Sequence, residues 1–261
     1  MILALGDRPS DTWLEPCIGR GAFLHALAEI GVQPHRITAI DLDPDFSSAY
    51  GMAVSCYVAR RANHWMTDVA KETSEATQLA RRAVELGRED VIALSAGGYA
   101  LAYFSNDFES SASFIDRARA LNPNLACVWR FSGLERVLLG EPEAALEHLA
   151  CAMRLSPFDP SMFNMQAMTA YAHFFAGRYD EASSWAGQAL RESPNYYPAL
   201  RVAAAGNALA GRLENARKAM ARLREVDPAL RVSNLGDLTP FRRPEDVARH
   251  EEGLRRAGLP E

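Results

Sequence analysis

Lysine is almost missing from this 261-residue chain: of its 28 basic residues only Lys71 and Lys218 are lysine, the rest arginine. That bias is compositional, and the overall balance is acidic, with a net charge of −5. Bulk electrostatics therefore give no pull toward nucleic acid or an anionic membrane surface. No run approaches the roughly 18 uninterrupted apolar residues of a membrane-spanning helix. The amino terminus, MILALGDRPSD, has no basic flank and too short an apolar run for a secretion signal. Cys17, Cys56, Cys127 and Cys151 form no C-x-x-C pair, have no metal-ligand spacing, and are too sparse for a disulfide scaffold. They read as buried free thiols in a reducing compartment. The expectation is a cytoplasmic protein with no membrane and no nucleic acid among its partners.

Catalytic signatures are missing as well. His25, His35, His64, His148, His173 and His250 are scattered, none in H-E-x-x-H and none beside a cysteine pair. No G-x-S-x-G nucleophile elbow and no glycine-rich Walker loop occurs. Carboxylate pairs such as Glu141/Glu143 and Glu251/Glu252 fall on amphipathic stretches and read as solvated faces. His173, inside the apolar YAHFFAG, reads as a core or groove histidine. These absences predict no enzyme, no metal and no cofactor.

What is there is repetition. Gly140, Gly177 and Gly211 each follow an apolar run and precede an acidic, alanine-bearing one: LGEPEAALEH, AGRYDEASSW, AGRLENARKA. Ala145, Ala182 and Ala216 come five residues after those glycines, and Pro157, Pro194 and Pro228 come 17 after them. The steps are 37 and then 34. The three extra residues fit Phe158-Asp159-Pro160, since Pro160 to Pro194 is again 34, and Pro123 extends the series backwards. A period of 34 with small-residue, glycine and proline punctuation resembles the tetratricopeptide repeat, a helix–turn–helix unit. Trp129 and Gly133 fit that family's Trp and Gly positions; Ser132 and Arg136 stand where its Leu and Tyr belong. The small residues suit close helix–helix approach, and Leu-Asn-Pro, Leu-Ser-Pro and Val-Asp-Pro end helices.

Helical patterning runs from Asp45 onward. FSSAYGMAVSCYVARR carries an apolar stripe, and ANHWMTDVAKE lengthens its unit as an inter-helix insert, with Thr67 or Asp68 as the next cap. TSEATQLARRAVEL follows and stops at Gly87. The next pair, 90–104 and 108–121, has Asn106 in place of the turn glycine. Pairs near 125–155, 161–192 and 196–226 complete an array of four to five repeats. Residues 229–241 read as a loop, and VARHEEGLRRAGL as a final helix with acids in its first turn and arginines in its last. That helix is expected to cap the last repeat, as a solenoid needs.

Residues 12–44 read differently. TWLEPCIGRGAFL and RITAIDLD suggest strand, glycine turn, helix, strand and acid, the first unit of a nucleotide-type βαβ fold. The string Glu15-Pro16-Cys17-x-Gly19-x-Gly21-x-Phe23 resembles the first motif of adenine-specific DNA methyltransferases. That resemblance implies an S-adenosylmethionine-binding remnant carried by Glu15, Gly19, Gly21 and Asp41, with Gly19 and Gly21 at the methionine part and Asp41 on the ribose. The family's catalytic motif, Asn or Asp followed by Pro-Pro and an aromatic, is missing downstream. The junction is open: the fragment ends near Ile40, or Leu42-Asp43-Pro44 is already the end of one repeat and the start of the next.

A second resemblance covers roughly residues 42–261. DPDFSSAYGMAVSCY, NHWMTD, FAGRYDEASSWA and VSNLGDLTPFRRPEDVARHEEGLRRAGLPE together look like the carboxyl-terminal repeat half of bacterial class III adenylate cyclases. It implies a regulatory part of a cyclase system without the catalytic domain.

The reading is an all-α tetratricopeptide solenoid with a C-terminal capping helix and a short α/β-like N-terminal fragment. Its parts are 1–44, a truncated βαβ-like segment; 45–228, the repeats; and 229–261, loop and cap. The tetratricopeptide resemblance implies a concave groove lined by the first helix of each pair. Tyr99, Tyr103, Arg130, Leu134, Tyr171, Phe174 and Arg201 would face a partner protein or peptide there. Aromatics and arginines often dominate such interfaces, and Arg130 with Arg201, equivalent positions two repeats apart, suggest an acidic partner segment.

Overall fold

The structure, a computed structural model, describes residues 43–237 and 240–261 together with two short strands at 3–4 and 13–14. Among the described residues there are eleven α-helices. Five pairs come first: α1 (Ser47–Ala62) with α2 (Val69–Leu86), α3 (Val91–Ser105) with α4 (Phe108–Leu121), α5 (Ala126–Leu139) with α6 (Pro142–Leu155), α7 (Met162–Phe175) with α8 (Tyr179–Glu192), and α9 (Tyr197–Leu209) with α10 (Leu213–Val226). A 3₁₀ turn (Val232–Asp237) then leads to α11 (Pro244–Arg256). Each first helix packs on its own second helix and on the first helix of the next pair. The result is an all-α helix–turn–helix solenoid.

The turns explain the glycine period. Gly140, Gly177 and Gly211 have φ of 73°, 76° and 78°, the left-handed region that glycine reaches without a Cβ clash. Asn106, at φ 55°, fills the same role in the second pair. The residue after each glycine closes the helix in the same way: Glu141 N–H donates to Arg136 C=O, Arg178 to His173 and Arg212 to Asn207, at 2.8–2.9 Å. Each bond satisfies a helix-end carbonyl that has no donor within its own helix. The chain therefore reverses within two or three residues, and the helices of a pair are forced side by side.

Side-by-side helices need small residues where they meet. Ala145, Ala182 and Ala216 are fully buried. A Cβ on Gly133 would stand 2.6 Å from Leu149 Cγ of the facing helix, so only glycine fits. The two departures from the repeat pattern are compensated across the same interface. Ser132 Oγ meets His148 Nδ1 at 2.9 Å, a hydrogen bond in place of an apolar contact, and Arg136 pairs with Glu141 at 2.8 Å. Trp129, half-buried against the turn, donates its indole N–H to Pro123 C=O at 2.6 Å.

The first pair starts in register with the later ones. α1 begins three residues after Pro44, as α5 does after Pro123 and α9 after Pro194. Asp90, the cap of α3, accepts from Ile92 and Ala93 N–H, and its other oxygen accepts from Ser47 and Ser48 Oγ in the first turn of α1. The insert between α1 and α2 is pinned by a buried ion pair, Arg60 Nε to Glu72 Oε2 at 2.7 Å, while Glu72 Oε1 accepts from Thr67 N–H at 2.8 Å. Asp68, not Thr67, caps α2 by accepting from Lys71 N–H.

At the amino terminus Leu3–Ala4 pairs antiparallel with Trp13–Leu14. The second strand, the helix and the glycines of the βαβ reading, with Glu15, Gly19, Gly21 and Asp41, lie outside the described residues. Cys56 is buried, whereas Cys127 and Cys151 are only half-buried; none of the three is in a disulfide. Among the described residues no helix is long and apolar enough to cross a membrane.

One buried acid faces the α4–α5 contact. Glu135 is fully buried and accepts from Ser111 Oγ at 2.7 Å. Burial pushes its carboxyl up from 4.5 to about 7, against the opposing pull of Ser111 and Arg136. Between those values the unfolded chain releases a proton that the native state keeps, so this group costs stability as pH rises from 4.5 to about 7. Glu135→Gln should therefore stabilise the protein by about 2 kcal/mol at pH 8, with the gain fading toward pH 4.5. Thermal denaturation of both proteins across that range checks it; a gain independent of pH would mean the carboxyl is not the cause.

Candidate functional site

The first helices converge on one small cavity of about 40 Å³. Val58 and Ala62 of α1, Tyr99 and Tyr103 of α3, and Leu134 and Leu138 of α5 line one side of it. Asn164, Met168 and Tyr171 of α7 and Tyr196, Pro198 and Arg201 from the start of α9 line the other, and Phe241 enters from beyond the repeats. Five of the seven groove residues read from the sequence thus meet around one space: Tyr99, Tyr103, Leu134, Tyr171 and Arg201. Arg130 is not among the lining residues; it is half-buried with its guanidinium 4.4 Å from the Phe131 ring centre. Phe174 is not among them either. It is fully buried against Phe175, Tyr179 and His250, with ring centres 5.5–5.9 Å away.

The aromatics are not displayed on an open groove wall. Tyr99 and Tyr103 are each 3% exposed and Tyr171 1%, their rings stacked or tilted on neighbours. Burial pushes the hydroxyls of Tyr99, Tyr103 and Tyr171 above their ordinary value, so all three remain neutral donors at physiological pH. Arg201, 2% exposed, sits with its guanidinium 5.2 Å from the Tyr197 ring centre. Its charge is held inside the fold, so the pairing of Arg130 with Arg201 toward an acidic partner does not follow from their positions.

Two contacts join distant parts of the array. The insert after α1 reaches the last pair: His64 Nδ1 meets Asp227 Oδ2 at 2.6 Å, and Tyr197 OH donates to the same oxygen at 2.7 Å. His64 takes a left-handed φ of 60° to do so. A wider cleft of about 400 Å³ lies beside this clasp, between Asn63 and Trp65 of the insert and Asn195, Arg222 and Glu225 of the last pairs.

From the other end comes α11. It caps α9, where a Cβ on Gly253 would stand 2.7 Å from Ala205 Cβ. It also reaches further than an end cap. Arg249 donates to Phe175 C=O at 2.6 Å, and His250 packs on Tyr171 and Phe174 of α7. No periodic signal marks this reach. Asn164 and Pro198 were within reach of the repeat register, since they lie 34 apart; Phe241 has no periodic equivalent and could not be found that way.

The lining of this cavity is mainly apolar and aromatic. Apolar rings surround the space, with a few polar atoms such as the Asn164 amide, which donates to Tyr196 OH at 2.7 Å. Among the described residues no group of three or more His, Cys, Asp or Glu could hold a metal ion.

The helix pairs and their 34-residue period give a tetratricopeptide-type helical-repeat fold. The chain resembles PilW, a widely conserved type IV pilus biogenesis factor, with a TM-score of 0.56 and 16% identity, over 78% of this chain and 89% of that one. It also resembles PilF of Pseudomonas aeruginosa, with a TM-score of 0.55 and 15% identity, over 81% of this chain and 91% of that one. At such identities the likeness is one of fold. No protein-family model and no curated protein matches the chain, so sequence comparison adds no support to the cyclase or methyltransferase resemblance.

His250 supplies a test of how α11 is seated. It is 4% exposed, and burial, with the nearby Arg201 charge, pushes its imidazole from 6.5 down to about 3. Below pH 6.5 the unfolded chain takes up a proton that the native state refuses, so stability falls as pH drops through that window. At pH 4 the loss approaches about 3 kcal/mol. His250→Leu should lose clearly less of its melting temperature than wild type between pH 6.5 and 4. Parallel acid curves would show that the imidazole is not held neutral by α11.

Proposed function

We propose that this chain is a non-catalytic protein-interaction module, and that the face formed by its first helices receives a peptide segment or helix of a partner protein. The observation that carries this reading is the convergence of four tyrosines, Arg201 and apolar side chains from all five first helices around one cavity. Tyrosine and arginine in a desolvated cluster are the side chains that most often dominate binding energy. The cavity is narrow as it stands, so entry of a partner requires the clasp or the C-terminal segment to move. Interfaces that exchange an internal contact for an external one are common among regulatory proteins. The partner is recognised through apolar and aromatic groups rather than through an acidic stretch, because Arg201 is enclosed.

Met168 lines the cavity and is only half-buried, which makes it the place to test the reading. With the full chain immobilised, Met168→Lys should lose captured partner by about tenfold, roughly the 1.4 kcal/mol of a modest hot spot. Lys218→Glu, on the exposed face of α10, should keep it. Circular dichroism confirms that both variants hold the helical fold. Equal capture by wild type and Met168→Lys would remove this face as the binding site.

A further inference from the structure

The cavity is lined by the first helices and the start of α9, with one exception among the described residues: Phe241. This side chain lies in a Pro-Phe-Arg-Arg-Pro stretch, residues 240–244, just before α11. Its ring lies 4.8 Å from Phe175, 5.5 Å from Tyr171 and 6.0 Å from His250, centre to centre. The next residue makes a main-chain bond: Arg242 N–H donates to Leu138 C=O at 2.8 Å. Leu138 is in the last turn of α5, where carbonyls have no donor within the helix. Its neighbours Arg136 and Val137 are satisfied by the turn at Gly140; Leu138 is satisfied by the strap. The Arg242 guanidinium lies 5.7 Å from the Phe108 ring centre, and Arg243 has extended backbone angles, φ −89° and ψ 119°.

These are the contacts of a bound extended peptide. One aromatic anchor packs at the wall of a cavity, a backbone N–H meets a helix-end carbonyl, and a guanidinium lies against an aromatic ring. A backbone donor is common to every residue but proline, so another chain can supply it equally well. The hold is also slight. Phe241 is half-buried, Arg242 and Arg243 are exposed, and the firm attachment is further on, where Leu254 of α11 is fully buried.

Resting on the binding reading above, we infer that residues 240–243 are an internal surrogate for the partner. The cavity takes an aromatic side chain followed by arginine from a partner's extended segment, and the chain's own strap leaves when that segment enters. Because the strap is tethered, it competes at high effective concentration and weakens any external segment of the same kind. Removing its anchor removes that competition.

The experiment uses a fluorescent peptide copying residues 238–247, LTPFRRPEDV, with the full-length chain. Binding is measured to wild type, Phe241→Ala and Phe241→Leu, the last keeping an apolar group in case the alanine variant unfolds. Both folded variants are expected to bind at least about tenfold more tightly than wild type. A peptide with alanine in place of its phenylalanine should not bind, and Met168→Lys added to the Phe241 variant should abolish binding. The inference is overturned if the folded variants bind no better than wild type up to about 1 mM. It is equally overturned if the alanine peptide binds as well, or if light scattering shows a wild-type dimer that Phe241→Leu dissolves, since the strap would then belong to a second copy. The two readings fail separately: peptide binding can fail while Met168→Lys still loses its partner, and the binding face then stands without its surrogate.

Discussion

Two helices joined by a turn of two or three residues have to touch along their length, and contact at that distance leaves no room for large side chains at the crossing. The rest of the architecture depends on that constraint. Ala145, Ala182 and Ala216 are fully buried at equivalent places in successive pairs, and Gly133 has Leu149 where a Cβ would go. The turn glycines exist to bring the helices there, through a left-handed φ that ordinary residues reach only at a cost. Once each pair is formed, its first helix carries an apolar side that the next first helix or, at the end, α11 covers. Stacking follows from that need, as in other repeat proteins.

Stacking also creates the interior. Aromatic side chains on successive first helices point to a shared space, and their large buried areas make that space cohesive. Here the space is nearly filled. The tyrosines pack on one another, Arg201 lies against Tyr197, and Phe241 takes up room from outside the array. The first-helix face is thus a second core. The contacts that cross it are few and polar or half-exposed: the His64–Asp227–Tyr197 cluster on one side and the strap on the other. Regions held by few apolar contacts open at lower free energy than the core around them.

Much of this architecture was legible in the sequence because repetition amplifies weak signals. One glycine before an acidic run is ambiguous; three at steps of 37 and 34 identify a turn, and Asn106 could be placed by the same register. Register also brought five of the seven expected groove residues to one cavity. Arg130 and Phe174 are not among its lining residues, because register gives a position on a helix but not the neighbour that covers it. Phe131 and α11 decide those two cases.

The sequence by itself determined the helix pairs, their turns and the small residues between them. These depend on backbone angles and on contacts within one repeat, which local residue types dictate. Only the tertiary structure decided whether the first-helix face was open or filled. That depends on contacts between residues far apart in the chain, such as His64 with Asp227 and Phe241 with Tyr171. No period relates those partners. They meet because the pitch of the whole array, summed over five pairs, brings distant parts of it together.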